Sequence, residues 1–570
     1  MSRALMHLLV RGACVAILAA WFPGTHSVAA VEPVAARNGM VVSQHYLATE
    51  AGLQVLKDGG NAMDAAVTVG FVEAVVLPAA GNLGGGGFIL AHLAKSDSMV
   101  ALDFREKAPA AASRDMFLDA SGNPDPQRSQ YSYLAVGVPG TVAGLALALK
   151  RYGTISLKRA LRPAIELAEK GFRVDSSLHD SLVGARRRME ACPASLAIFF
   201  KPDGSPWETG EYLVQKDLAR SLKEIAKRGP DAFYRGSIAE KIASDMAAHG
   251  GLITREDLAS YHPVFRKPVR GTYRGYEIVS MPPPSSGGVH VIQMLNLLEG
   301  FPAGLFGHNT PETISLMAEC MKRAYADRSL YLGDPDFVRV PVAGIVSKSY
   351  AEALRAAIAP GKVTPGAEIL PGNPGPYESA QTTHYSTADR FGNAVAVTYT
   401  LNFGYGAGIT AAGTGILLND EMDDFSAKPG SPNAYGLLGG GANAIAPGKR
   451  MLSCMTPTIV LRDGRVFLVT GSPGGSRIIT TTLQIVLNVI DHRMNIADAT
   501  NATRVHHQWM PDELVVEKGL DKPVIEKLTA MGYTVKTTGS FGVTESIMRA
   551  GGMLYGAADM RGSSSLAKGY

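Results

Sequence analysis

The chain has 570 residues, 46% of them apolar, and its 55 Lys and Arg against 51 Asp and Glu leave a formal net charge of only +4. That composition excludes a disordered chain and supplies a sizeable core. With no basic run interleaved with aromatics, it also argues against nucleic acid as a partner.

The first thirty residues, "MSRALMHLLVRGACVAILAAWFPGTHSVAA", combine basic residues, an apolar run from Ala13 to Phe22 and the small-residue ending Val28-Ala29-Ala30. This is the layout of a secretory signal peptide, and the run is too short for a spanning helix; an uncleaved anchor is the alternative. No later stretch reaches the roughly 18 uninterrupted apolar residues of a transmembrane span. A mature chain beginning near Val31 is therefore expected to be exported and soluble, either periplasmic or secreted. Cys14 leaves with the signal, and Cys192, Cys320 and Cys454 are an odd, widely spaced set that makes no disulfide framework. Metal-ligand spacings are missing as well: there is no CxxC and no HExxH, and the adjacent His506 and His507 point to opposite faces of an extended segment. No metal and no cofactor is expected.

From Ala48 to Val76 apolar residues recur at helical spacing, interrupted by "DGGNAMD". This predicts two packed helices, the second capped by Asn61 or Asp64. Helical patterns return over 143–151, 157–170, 217–228 and 311–332, separated by breaks such as "VGVPGT" and "MPPPSSGG". Residues 363–377, "VTPGAEILPGNPGPY", read as an irregular, exposed connector. After residue 381 the pattern changes to strands. Segments 383–388 and 394–401 flank the turn "DRFGN", and 459–461 and 466–469 flank "RDGR", whose Asp463-Gly464 pair is a strong hairpin signal. A helix over 477–490 follows through the loop "GSPGGS".

A hairpin symmetric about Phe391 places Thr382 opposite Thr400, with Asn402 on the same face two residues on. Read from the residues alone, this is either cross-strand threonine pairing or a reactive centre. A threonine nucleophile needs a base, and no His-Asp arrangement declares itself. Cleavage between Gln381 and Thr382 would supply one, because the new α-amine, with a typical pKa of about 7.7 to 8.0, accepts the hydroxyl proton at neutral pH. In "VTGSPGGSRII" a strand runs into Gly474-Gly475 just before a helix, where two unpaired N–H groups make a candidate oxyanion hole. A phosphate-binding loop competes, but the Lys of its motif is missing. "GNLGGGGF", residues 81–88, reads as tight backbone packing. "LNDEMDDFS" presents Glu421 and Asp424 three residues apart, so one helical turn aims both carboxylates the same way. "LDFREKAP" offers Arg105 after an apolar, strand-like run. In isolation, each of these two charged segments also reads as a solvated turn.

Together "TTHYS", "TLN", "NDEMDDFS", "GSPGGSRI", "DFREKAP" and "HHQWMPDEL" resemble, in order and spacing, the γ-glutamyltransferases (γ-glutamyltranspeptidases) of the N-terminal nucleophile hydrolases, from about Val34 to Tyr570. The resemblance implies an α+β fold, a four-layer αββα sandwich. It also implies a precursor that cleaves itself between Gln381 and Thr382, giving a large subunit (31–381) and a small catalytic one (382–570) that form one intertwined heterodimer. Thr382 would be nucleophile and, through its new amine, base, with the Thr400 hydroxyl against it and the Gly474 and Gly475 N–H groups on the oxyanion. The implied substrates are glutathione and other γ-glutamyl donors, and the threonyl ester passes its group to water or to an amino-acid or dipeptide acceptor.

A γ-glutamyl end carries an α-carboxylate and an α-ammonium. The resemblance implies that Arg105 and Ser453 take the first, and that Glu421, Asp424 and the Asn402 carbonyl form a separate cluster for the second. Leaving either charge buried and unpaired would cost about 3–5 kcal/mol. Where the family has two consecutive serines, this chain reads "MLSCMTP". Cys454 is a weaker donor than serine, so weaker carboxylate affinity and sensitivity to thiol reagents are expected. Residues 431–451 resemble the lid loop of bacterial members, with Tyr435 as gate, which favours small substrates because relatives without the loop accept larger ones. The alternative function is a cephalosporin (glutaryl) acylase of the same superfamily. A glutaryl group has no ammonium for Glu421 and Asp424 to bind.

Overall fold

In the computed structural model, residues 31–302, 307–374 and 385–570 are described. Two seven-stranded antiparallel sheets carry the architecture. In spatial order the first runs Val34–Ala36, Met553–Ala558, Glu545–Ala550, Arg465–Thr470, Thr458–Arg462, Tyr276–Ser280 and Val269–Tyr273. The second runs Leu566–Gly569, Gly39–Ser43, Tyr385–Asp389, Ala394–Thr400, Gly86–Leu93, Ser98–Phe104 and Val264–Arg266. Each sheet therefore interleaves strands from both sides of residue 381.

Three apolar layers define the stacking. Met40, Phe88 and Leu90 of the second sheet meet Val279, Ile459, Val469 and Ile547 of the first, so the sheets pack face to face. The outer face of the second sheet is covered by helices Tyr46–Lys57, Ala62–Val76, Thr141–Tyr152 and Leu157–Lys170. Helices Gly287–Glu299, Pro311–Tyr331 and Arg477–Ile490 cover the first. The result is the expected αββα sandwich.

Local chemistry accounts for the elements. Asn61 caps Ala62–Val76, accepting from the Asp64 N–H, and Asp64 returns the bond to the Asn61 N–H in a capping box. Of the two candidate caps, Asn61 is the N-cap and Asp64 the residue that closes the box. The Asp463-Gly464 turn has φ of +52° and +72°, the double left-handed conformation that a two-residue hairpin requires. Helices Leu157–Lys170 and Arg477–Ile490 occupy the residues expected for them.

Helix Gly287–Glu299 and strand Gly86–Leu93 are additions to the expected elements, and strand Ser98–Phe104 is the apolar, strand-like run before Arg105. The two additions are largely buried on all sides, so neither carries an amphipathic period. The glycine loop works by close approach: a Cβ on Gly85 would lie 2.0 Å from the Thr400 carbonyl oxygen, and one on Gly84 would lie 2.1 Å from that of Leu417.

The hairpin symmetric about Phe391 is present: Tyr385 pairs with Val397, Ser386 with Ala396 and Thr387 with Val395. Asp389 organises its turn, accepting from the Phe391 and Asn393 N–H groups, and its other oxygen accepts from the Ala62 N–H at the start of the buried helix. Gln381, Thr382 and the two residues after them lie outside the described residues. Among the described residues, no helix is long and apolar enough to cross a membrane, and no cluster of three His, Cys, Asp or Glu could hold a metal ion.

His290 and His506 are buried, and burial pushes the pKa of each down from 6.5 to about 3. A folded value below the unfolded one means that stability is fully present above about pH 6.5 and is lost as pH falls toward 3. Thermal unfolding followed from pH 7 to pH 4 is expected to give a falling midpoint, and His506→Gln should flatten that fall.

Candidate active site

Strand Ala394–Thr400 ends at a cleft of about 190 Å³ where the two sheets open. Thr400, Asn402, Glu421, Asp424, Tyr435, Ser453, Cys454, Gly474 and Gly475 all line it, so nine candidates separated by up to 75 positions in the chain share one space. The Thr400 hydroxyl accepts from the Asn402 N–H at 2.9 Å, and Asn82 holds the Thr400 carbonyl at 2.9 Å. Asn402 adopts φ of +80°, a left-handed turn that Asn tolerates better than most residues. Its side-chain amide donates to the Asp420 carbonyl at 3.0 Å, which joins the strand end to the acidic turn.

That turn is a single 3₁₀ turn, Glu421–Asp424. Here the structure departs from the expected separation of cation and anions. Arg105 is wholly buried and does not line the cleft. Its Nη1 pairs with Glu421, its Nη2 with Asp424 and its Nε donates to the Met451 carbonyl at 3.3 Å. A guanidinium out of reach of water must meet carboxylates somewhere, and the acidic turn is what packs on it. Glu106 adds a third carboxyl 3.5 Å from Nη1. Burial pushes the Glu106 carboxyl up to about 7 and raises Glu421 and Asp424 too, while Arg105 opposes the rise.

On the facing wall, loop 471–476 brings strand Arg465–Thr470 to helix Arg477–Ile490. Gly474 and Gly475 have φ of +132° and +57°, and neither N–H makes a hydrogen bond among the described residues. Two free amides, adjacent and ahead of a 14-residue helix, form a donor pair for developing negative charge. Tyr435 closes over them. Its hydroxyl donates to the Asn402 carbonyl at 3.1 Å, and its ring stacks on Phe403 at 4.9 Å. Gln508, from the "HHQWMPDEL" segment, donates to the Tyr435 carbonyl at 3.1 Å and accepts from Ser476 at 2.7 Å. His506 in turn bridges Thr480 and Gln508, so the adjacent histidines are structural and His507 faces Asp512 instead.

Ser453 is held by loop 282–286: its N–H donates to the Pro284 carbonyl at 2.9 Å, and its carbonyl accepts from the Ser286 N–H and hydroxyl. Cys454 lies against Arg328, whose Nη2 is 3.1 Å from the sulfur and whose Nε donates to Ser286. The motif reading assigned no role to Arg328, Ser286, Glu106 or Asn82. A basic residue inside a helix and a serine after prolines look ordinary in sequence, and only packing brings them against Cys454 and Ser453 of the cleft wall.

Against known proteins, the family model described as Gamma-glutamyltranspeptidase matches residues 48–569. The chain belongs to that family. It is 55% identical over 542 residues to a glutathione hydrolase proenzyme of Escherichia coli (strain K12), covering 94% of this chain and 93% of the relative. Among solved structures, cephalosporin acylase from Bacillus halodurans superposes with a TM-score of 0.85 at 27% identity, covering 96% of this chain and 99% of that one. The Helicobacter pylori gamma-glutamyltranspeptidase gives 0.57 at 51% identity, covering 58% of this chain and 94% of that one.

In this family member the Cys454 thiol is buried and its pKa is raised, burial outweighing the opposing effect of Arg328. At pH 7 it is a protonated, shielded thiol and a slow nucleophile. Iodoacetamide is expected to modify Cys454 slowly at pH 7 and faster as pH rises past 9, with activity lost in step. Peptide mass mapping against residual activity checks this, and full modification with full activity would place the thiol outside the substrate's reach.

Proposed function

We propose that the chain is a precursor cleaved between Gln381 and Thr382, and that the resulting enzyme transfers γ-glutamyl groups from glutathione and related amides to water, amino acids or dipeptides. The convergence of Thr400, Asn402, the acidic turn, Ser453 and the Gly474-Gly475 amides on one cleft of a gamma-glutamyltranspeptidase family member carries this reading. The proenzyme naming of the Escherichia coli relative is in keeping with processing. The Tyr385–Val397 register is the one that the expected pairing of Thr382 with Thr400 requires, which supports this reading.

In the precursor, Thr382 Oγ attacks the Gln381 carbonyl, the acyl group moves from N to O, and water cleaves the ester. This frees the Thr382 amine as base. In the mature enzyme Oγ attacks the γ-amide carbonyl, the Gly474 and Gly475 N–H groups receive the oxyanion, and the leaving amine takes the proton. The resulting ester is resolved by water or by an acceptor amine. Donor recognition uses the ionic cluster beneath the cleft. Arg105 favours the charged form of Glu421 and Asp424 against the burial that raises both, and the donor's α-ammonium, a second cation beside them, favours it further. Ser453 and the Cys454 N–H remain for the α-carboxylate. The same acids favour γ-glutamyl over glutaryl groups, since the latter offer them nothing.

Purified wild-type protein is expected to resolve into two chains, the smaller starting at Thr382, and to release p-nitroaniline from γ-glutamyl-p-nitroanilide. Thr382→Ala should remain one chain without activity; intact mass and amino-terminal sequencing decide. Gly475→Ala is expected to lower kcat by about 10²-fold or more, the scale of losing an oxyanion donor. A Cβ there would lie 2.4 Å from the Tyr435 ring in a left-handed backbone. Unchanged kcat in that variant would take the amide pair out of the mechanism.

A further inference from the structure

One part of the cleft is used by none of the groups above. Gln44, Glu73, Leu77 and Ala79–Gly81 line it, from the end of strand Gly39–Ser43 and the last turn of helix Ala62–Val76 with the loop that follows. Glu73 is 3% exposed and its carboxyl group meets the Gln44 backbone N–H and the Tyr399 hydroxyl, yet its Oε1 atom has no hydrogen-bond partner. An unpaired carboxyl oxygen in a buried wall is a site awaiting a donor, because leaving it unmet costs about 1–3 kcal/mol or more.

The charge around it selects the donor. No Lys, Arg or His stands among the described residues lining the cleft, and the other two carboxyls there are the ones proposed above for the donor's ammonium. The helix adds the negative end of its dipole within the same turn. The remaining titratable neighbours are Tyr385 and Tyr399 on the adjacent strands and Glu545 on the facing sheet, none of them cationic. Burial pushes the Glu73 carboxyl up to about 8, so at pH 7 it is mostly neutral by itself and becomes the carboxylate beside a cation.

Of the two amine-bearing reactants, the donor's ammonium has Glu421 and Asp424. The acceptor's attacking nitrogen must be neutral to offer its lone pair, so an ionic partner serves only a second nitrogen. We propose that Glu73 is a specificity residue of an acceptor subsite, its unpaired oxygen taking the ammonium of an acceptor that carries a second amino group, a diamine or a basic amino acid. This rests on the transfer reaction proposed above. The neutral amine attacks the ester carbonyl, the new C–N bond replaces the C–Oγ bond, and the proton lost by the amine returns to Thr382 Oγ. The second ammonium stays charged against Glu73, whose own proton leaves to solvent.

The experiment uses the processed enzyme with γ-glutamyl-p-nitroanilide as donor at pH 8. It compares lysine with norleucine and 1,4-diaminobutane with butylamine, reading transfer products by mass spectrometry as kcat/KM ratios within each pair. Wild type is expected to favour the cationic member at least tenfold, Glu73→Gln to bring the ratio near one, and Glu73→Asp to keep most of it. A wild-type ratio near one, or an unchanged ratio in Glu73→Gln, overturns the subsite. If Glu73→Gln fails to process, the wild-type and Glu73→Asp ratios decide. Release of p-nitroaniline without acceptor reports separately on the parent reaction: its absence defeats that reading, whereas release with indifferent ratios defeats the subsite alone.

Discussion

A buried guanidinium imposes the order on this molecule's functional end. Arg105, at the end of strand Ser98–Phe104, has no water and answers to Glu421, Asp424 and Glu106. Removing one partner from such a set costs about 3–5 kcal/mol, so the strand end and the acidic turn are locked together. The turn also carries the Asn402 amide through the Asp420 carbonyl and Asn443 through that of Asp424, and Asn443 in turn accepts from the Leu452 N–H. Strand end, acidic turn and the Ser453 segment are thus held by one polar network.

The network spans the two parts of the chain that the proposed cleavage separates. Arg105 precedes residue 381, and its carboxylate partners in the turn follow it. Strand interleaving does the same with backbone bonds, since Ala394–Thr400 pairs with Gly86–Leu93 and Tyr385–Asp389 with Gly39–Ser43. A break at one peptide bond therefore removes no layer of the sandwich.

Stiffness and freedom are distributed accordingly. The proposed oxyanion donors sit between a strand and a helix buried against the core, and Tyr435 is tied to Asn402 and Gln508 by single hydrogen bonds on a loop rich in glycine. A reacting centre needs fixed donors, whereas a cover needs an exit, and two or three modest bonds suit the second. Glu73 belongs to the rigid part. Its helix is buried along its whole length, so a charged group there has been placed by packing and not by solvent.

Much of this was legible in the residues. Helix periodicity, the Asp463-Gly464 turn and the symmetry about Phe391 are local signals, set by backbone sterics and the two-residue alternation of strands, and they reappear at the expected positions. The motifs carrying Thr400, Glu421, Asp424, Ser453 and Gly474 could be named because their spacing resembles a family. What they touch could not. Arg105 against the acidic turn and Arg328 against Cys454 are contacts across 316 and 126 residues of chain, and the unpaired oxygen of Glu73 is a contact that packing leaves unmade. Such contacts arise when two sheets and their helices close, because burial then forces every charge to find a partner or stand without one. Residue identity specifies the charges; only the tertiary packing decides which of them meet.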